Sequence, residues 1–160
     1  MTVNELLART PAKIALIAHD GKKQELVSWA KKNKKLLSQH YLYGTGNTGA
    51  LITQETGLFV SCFKSGPLGG DQQIGAKIVE GTLDALIFFW DPLSNAPHEH
   101  DVKALERIAV LYNIPAAFNQ ATADFIFSDP RWLNKYETIR TPLPLKESMK
   151  ESMCRTHAMT

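Results

Sequence analysis

Five short apolar runs rich in Ile, Val, Leu and Phe recur along the chain, at residues 13–18, 40–44, 58–63, 85–90 and 114–118. Between them, residues 24–35, 49–55, 71–80 and 102–112 carry apolar side chains at helical spacing, as Val102, Leu105, Ile108, Ala109 and Tyr112 do in the last. Near-continuous apolar strands are buried on both faces, and strands linked through helices run parallel. The alternation predicts an α/β fold: a single three-layer α/β/α domain around a five-stranded, mainly parallel sheet of flavodoxin/Rossmann-like type. Residues 136–140 suit a further edge strand and 146–154 a terminal helix, followed by a frayed tail from about residue 155 to 160. No internal repeat or linker is visible, so residues 1–160 are expected to form one domain.

Composition narrows the classes of function. With 44% apolar and 21% charged residues, the chain has the usage of a folded protein and not of a disordered one. Eighteen Lys and Arg against 16 Asp and Glu leave a net charge of +2, too little to draw nucleic acid or anionic lipid by a global field. The longest unbroken apolar stretch, residues 85–90, is far short of the about 18 residues a spanning helix needs. The first ten residues carry Glu5 and lack the pattern of a secretory signal. Two cysteines, Cys62 in a strand expected to be buried and Cys154 near the end, exclude a disulfide scaffold or a Cys-rich zinc module. The expectation is a cytoplasmic protein with neither a membrane nor a nucleic acid as partner.

In open sheets of this kind, ligands sit beyond the carboxyl ends of the strands. The loops there are residues 19–21, 45–49, 64–71 and 91–101, and they hold the glycine clusters and most of the chemically useful side chains. Gly44-Thr45-Gly46-Asn47-Thr48-Gly49 leads into a helix and offers an anion backbone N–H groups, two hydroxyls and an amide. The alternative is a plain turn in which Thr48 caps the helix. The run formally matches G-x-G-x-x-G, but no acidic residue closes the next strand as in a dinucleotide site, and no Gly-Lys-Ser/Thr follows as in a Walker loop.

Ser65-Gly66-Pro67-Leu68-Gly69-Gly70-Asp71 allows close backbone approach and delivers a carboxylate to a helix start, where Asp71 is either an N-cap or a base. In the fourth loop, Asp101 either caps the next helix or joins the site. His98 and His100 would lie on one side of an extended segment and could chelate a metal, or His98 alone could donate to a developing oxyanion. Of Lys22, Lys23, Lys31, Lys32, Lys34 and Lys35, most read as a solvated helix face, while Lys23 lies near enough to His19 and Asp20 to reach an anion.

Taken together, His19-Asp20, Lys23, Thr45-Gly46-Asn47-Thr48-Gly49, Ser65 through Gln73, Phe89-Trp90-Asp91-Pro92 and His98 with Asp101 resemble the methylglyoxal synthase family, over about residues 14–129. The resemblance implies sheet order 3-2-1-4-5 and a carbon-oxygen lyase converting dihydroxyacetone phosphate to methylglyoxal and inorganic phosphate. It implies no metal and no organic cofactor, and a homohexamer, with phosphate as product and candidate effector. Asp71 matches the family's general base, His98 and Asp101 its acid/base and hydrogen-bonding partners, and Asp91 and Asp20 its supporting carboxylates. His19, Lys23, Thr45, Gly46, Asn47, Thr48, Ser65 and Gly66 match its substrate and phosphate ligands. Asn47 stands where the family usually has threonine, and the arginine that a neighbouring subunit supplies near the C-terminus has no secure match here.

Two rivals share the same fold. A regulatory module binding a phosphorylated metabolite would keep the anion loop but has no use for Asp71, His98 and Asp101 together. A metal-dependent lyase would use His98 and His100. The joint presence of the three acid/base side chains favours the metal-free lyase.

Overall fold

The computed structural model describes residues 11–95 and 98–129. Strands β1 (Lys13–Ala18), β2 (Tyr41–Gly44), β3 (Val60–Cys62), β4 (Ala85–Phe89) and β5 (Ala116–Ala117) form one sheet in the order β3-β2-β1-β4-β5. Every pairing is parallel, with Ile17 beside Phe88 and Leu16 beside both Gly44 and Ile87. Among the described residues, six helices accompany them: α1 (Lys23–Lys32), α2 (Lys34–Leu37), α3 (Gly46–Thr56), α4 (Gly70–Val79), α5 (Glu99–Leu111) and α6 (Gln120–Phe127). Short 3-10 turns occur at Asp20–Lys22 and Gly66–Leu68.

Alternation along β1 and β4 divides the core in two, because successive side chains of a strand leave opposite faces. Ile14, Leu16, Ile87 and Phe89 pack with Leu26 and Trp29 of α1, Ile52 of α3 and Phe127 of α6. Ile17, Leu86 and Phe88 pack on the other face with Ile74 and Ile78 of α4 and Leu105 of α5. This is the three-layer α/β/α arrangement. The chain adds strands on one side of β1, then returns to add β4 and β5 on the other, so the topological switch point lies between β1 and β4. A crevice opens there by construction. Among the described residues, no helix is long and apolar enough to cross a membrane.

Several local features differ from the sequence pattern. Helix 24–35 breaks at Asn33, whose Nδ2 donates to Trp29 O at 2.9 Å and competes with the helical ladder. α3 starts at Gly46, so part of the glycine run is helix and not loop. β3 and β5, at the sheet edges, are shorter than their apolar runs. Cys62 ends an edge strand and is exposed, not buried. α6 had no apolar run long enough to announce it; its signal is Asn119, whose side chain accepts from Thr122 N–H at 2.9 Å as an N-cap. The strand expected at residues 136–140 and the helix at 146–154 lie outside the described residues.

Candidate active site

The carboxyl ends of the strands surround a cavity of about 300 Å³. Its floor includes Ile17, Ala18 and Phe88 from β1 and β4, and the four loops identified from the sequence supply its walls. Of the helices that begin there, α3 and α4 have no side-chain cap at their N-termini. Uncapped helix starts leave N–H donors for an anion.

Thr45 and Thr48 line the cavity at the start of α3 and are 4% and 2% exposed. The Thr48 hydroxyl reaches Ala18 O at 3.4 Å, and the two threonine oxygens lie 3.4 Å apart. Asn47 is exposed and also lines the cavity. Gly46 is not among the lining residues; its N–H donates to Lys64 O at 3.2 Å and ties this loop to the 64–71 loop. From that second loop, Ser65 and Gly66 face the cavity.

Asp71 lies in the first turn of α4, 3% exposed, with Oδ2 at 4.0 Å from His98 Nε2. It is not the cap residue, which is Gly69. Two glycines make this geometry possible. A Cβ on Gly70 would fall 1.9 Å from Lys64 O, so the helix can start this close to the loop only without a side chain. A Cβ on Gly66 would sit 3.3 and 3.4 Å from the Asp71 oxygens and 3.4 Å from His98 Nε2, wedged into the space between acid and imidazole. Burial pushes the Asp71 carboxyl above its ordinary range; His98 opposes this and Asp101 adds to it. A base made stronger by dehydration is the result.

His19 is 8% exposed and follows β1. Its Nδ1 accepts from Asp91 N–H at 3.1 Å, and its ring packs edgewise on Phe88 and His98. Burial, reinforced by His98, lowers its pKa below the usual imidazole value. Lys23 pairs with Asp20 at 2.5 Å, and that hydrogen bond holds the Asp20 carboxyl below its normal range. Both line the cavity.

Asp91 and Asp101 stand behind the lining. Asp91 Oδ1 accepts from Leu93 N–H at 3.0 Å within its own turn, and Asp101 Oδ1 accepts from Gln72 Nε2 at 3.3 Å, linking α5 to α4. Asp101 is inside the first turn of α5 and does not cap it; His98 occupies that position. His100 is exposed on α5, so His98 and His100 do not form the extended pair considered for a metal. Among the described residues, no three His, Cys, Asp or Glu side chains converge at metal-binding spacing. Ser94 and Asn95 also line the cavity and were missed, since uncharged loop residues give no signal of their own.

A family model described as MGS-like domain matches residues 25–118, a span that includes Thr45, Asp71, His98 and Asp101. Methylglyoxal synthase of Leptospira interrogans is 61% identical over 127 residues, covering 79% of this chain and 86% of that protein. The chain belongs to the methylglyoxal synthase family. Methylglyoxal synthase of Clostridium acetobutylicum is 55% identical over 125 residues, covering 78% of this chain and 86% of its own length. The crystal structure of methylglyoxal synthase from Elizabethkingia anophelis NUHP1 superposes with a TM-score of 0.73 at 49% identity, over 77% of this chain and 81% of that one. As a member of that family, this chain has the expected sheet order, and its cavity sits at the switch point where an open α/β sheet binds its ligand.

Proposed function

We propose that this cavity converts dihydroxyacetone phosphate to methylglyoxal and inorganic phosphate, with Asp71 as general base and His98 as the donor to the substrate carbonyl. The observation that carries the assignment is the buried, raised-pKa carboxylate of Asp71 facing an imidazole, in a cavity whose lining also holds the hydrogen-bond donors Lys23, Thr45, Asn47, Thr48 and Ser65. Methylglyoxal synthases at 55–61% identity support the reaction class.

The chemistry follows from that pairing. Asp71 removes a proton from the hydroxymethyl carbon, and the carbonyl oxygen takes the resulting charge, stabilised by His98 Nε2. Once that oxygen is protonated, the neighbouring hydroxyl loses its proton and becomes an aldehyde. The double bond shifts, and the C–O bond to phosphate breaks. The enol left behind ketonises to methylglyoxal. Elimination requires the breaking C–O bond to stand perpendicular to the enediolate plane; with that bond in the plane, isomerisation would win. Thr45, Asn47, Thr48, Ser65, Gly66 and Lys23 hold the phosphate in that orientation, and their donors stabilise the charge it carries away. Asn47 keeps a donor where threonine is usual. Asp101 acts through Asp71, whose pKa it raises, while Asp20 steers Lys23.

At a larger scale, we take residues 1–160 as one domain acting in the cytoplasm, as a homohexamer, with phosphate as product and candidate effector. Incubation with dihydroxyacetone phosphate, following inorganic phosphate and an α-ketoaldehyde together, tests the reaction. Both should appear in equal amounts. Release of neither would leave a phosphometabolite-binding module.

A further inference from the structure

After β3 the chain leaves the sheet at its edge and becomes a wall of the cavity. Phe63 N–H is still tied to β2, donating to Gly44 O at 2.8 Å. The next N–H, that of Lys64, donates instead to the side chain of Gln73, with Oε1 at 2.9 Å. A backbone N–H can only donate, so the amide atom facing it is the oxygen. Gln73 lies in the first turn of α4 and does not itself line the cavity.

Peptide planarity carries the consequence of this bond inward. In a trans peptide the C=O of one residue and the N–H of the next point in opposite directions. Lys64 O accepts from Gly46 N–H at 3.2 Å, which turns Ser65 N–H the other way. Ser65 O accepts from Leu68 N–H and from Gly70 N–H, both at 3.0 Å, which does the same to Gly66 N–H. Ser65 and Gly66 line the cavity, and among the described residues neither N–H has a protein partner. Two successive backbone donors are therefore held by bonds on the far side of their own peptides. Of the bonds that fix residues 64 and 65, the one from Gln73 is made by a side chain.

We propose that Gln73 is a positioning residue for the phosphate end of the substrate: by fixing the Phe63–Lys64 peptide it holds the two peptides that follow, so that Ser65 N–H and Gly66 N–H are presented together to one anion. That the anion is a substrate phosphate rests on the lyase reading above; the coupling of Gln73 to the two donors does not. The Lys64–Gln73 bond is exposed, so water replaces it at little cost to folding. What its loss removes is a fixed direction. A segment with glycine at 66, 69 and 70 then samples other orientations, and the ligand must order it on binding.

Calorimetric titration with inorganic phosphate reads the donors without turnover. Gln73→Met, which keeps the length and removes the acceptor, should raise the phosphate Kd and the KM for dihydroxyacetone phosphate together by about 10-fold, with kcat changed by less than about threefold. Gln73→Glu keeps an acceptor in the same place, and both constants should return to within about threefold of wild type at about 0.15 M ionic strength, where its added charge is screened. The unfolding midpoint in urea should move little in either variant. Unchanged phosphate binding in Gln73→Met overturns the proposal, as does a Gln73→Glu variant that binds no better than Gln73→Met. A fall in kcat with Kd and KM intact, or a loss of affinity matched by a large drop in the urea midpoint, also overturns it, since Gln73 would then serve the chemistry or merely brace α4. If the wild-type chain binds phosphate but releases none from dihydroxyacetone phosphate, the lyase reading falls while the Gln73 variants still decide the positioning role; a wild-type chain that binds no phosphate overturns that role as well.

Discussion

Asp71 is held in a setting a carboxylate would avoid: 3% exposed, with an imidazole 4.0 Å away as its nearest oppositely charged partner when protonated. Its folded pKa lies above the ordinary value of 3.8, so the ionised form costs stability at all pH values above that folded pKa, and the cost disappears as pH falls. Asp71→Asn removes both the cost and the base. Thermal unfolding should occur at a higher temperature, while phosphate release should fall by about 100- to 10,000-fold. A variant less stable than wild type would contradict the account of burial. Gly66 makes a second case: Gly66→Ala inserts a methyl 3.3–3.4 Å from Asp71 and His98, and activity is expected to fall much further than the unfolding midpoint in urea. Both residues were readable in the sequence, but for different reasons. Asp71 stood out through its place after a glycine-rich loop, whereas the reason Gly66 must be glycine lies partly in His98, far along the chain.

At the level of elements, α3 and α4 do two tasks with their N-termini. Each begins without a side-chain cap, and each gives first-turn residues to the cavity wall, Asn47 and Thr48 from α3 and Asp71 from α4. α6 is built the other way, with Asn119 satisfying its first turn and Trp29 Nε1 donating to Asp124 at 2.8 Å. Asn119→Ala should therefore cost about 1 kcal/mol in denaturant unfolding and leave kcat unchanged, since no part of α6 lines the cavity. Helix existence was legible from periodicity for α1, α3, α4 and α5. The start of α4 was legible to within one residue, but that of α3 was not, because Gly46 begins its helix through close backbone approach to the 63–65 loop, a tertiary contact without a local signature.

Across the whole molecule, the end of the sheet remote from the cavity carries its own pH dependence. His40 Nδ1 accepts from Ala12 N–H at 3.0 Å, and Asp84 Oδ2 accepts from Lys13 N–H at 2.8 Å, fastening the start of β1. Burial lowers the His40 pKa from 6.5, although Asp84 opposes it. The unfolded chain thus takes up this proton first, so the contribution of His40 is complete above about pH 6.5 and is lost as pH falls through the folded pKa. His19 acts with the same sign. His40→Gln should flatten the acid side of the curve of unfolding temperature against pH; an unaltered slope would show that other groups set it.

The alternation of apolar runs and helical periods determined by itself the α/β class, the parallel sheet and the four loops that make the site, because burial on two faces and ligand placement at strand ends follow from local pattern and topology rules. Glycine clusters and isolated Asp and His residues marked the chemistry. Tertiary structure alone decided which of them face the cavity: Asp71, His98, His19 and Lys23 do, while Asp91 and Asp101 work from behind through Leu93, His19 and Gln72. The pKa of Asp71 depends on burial and the setting of the His19 ring on a partner 72 residues away in sequence, and no local pattern carries either.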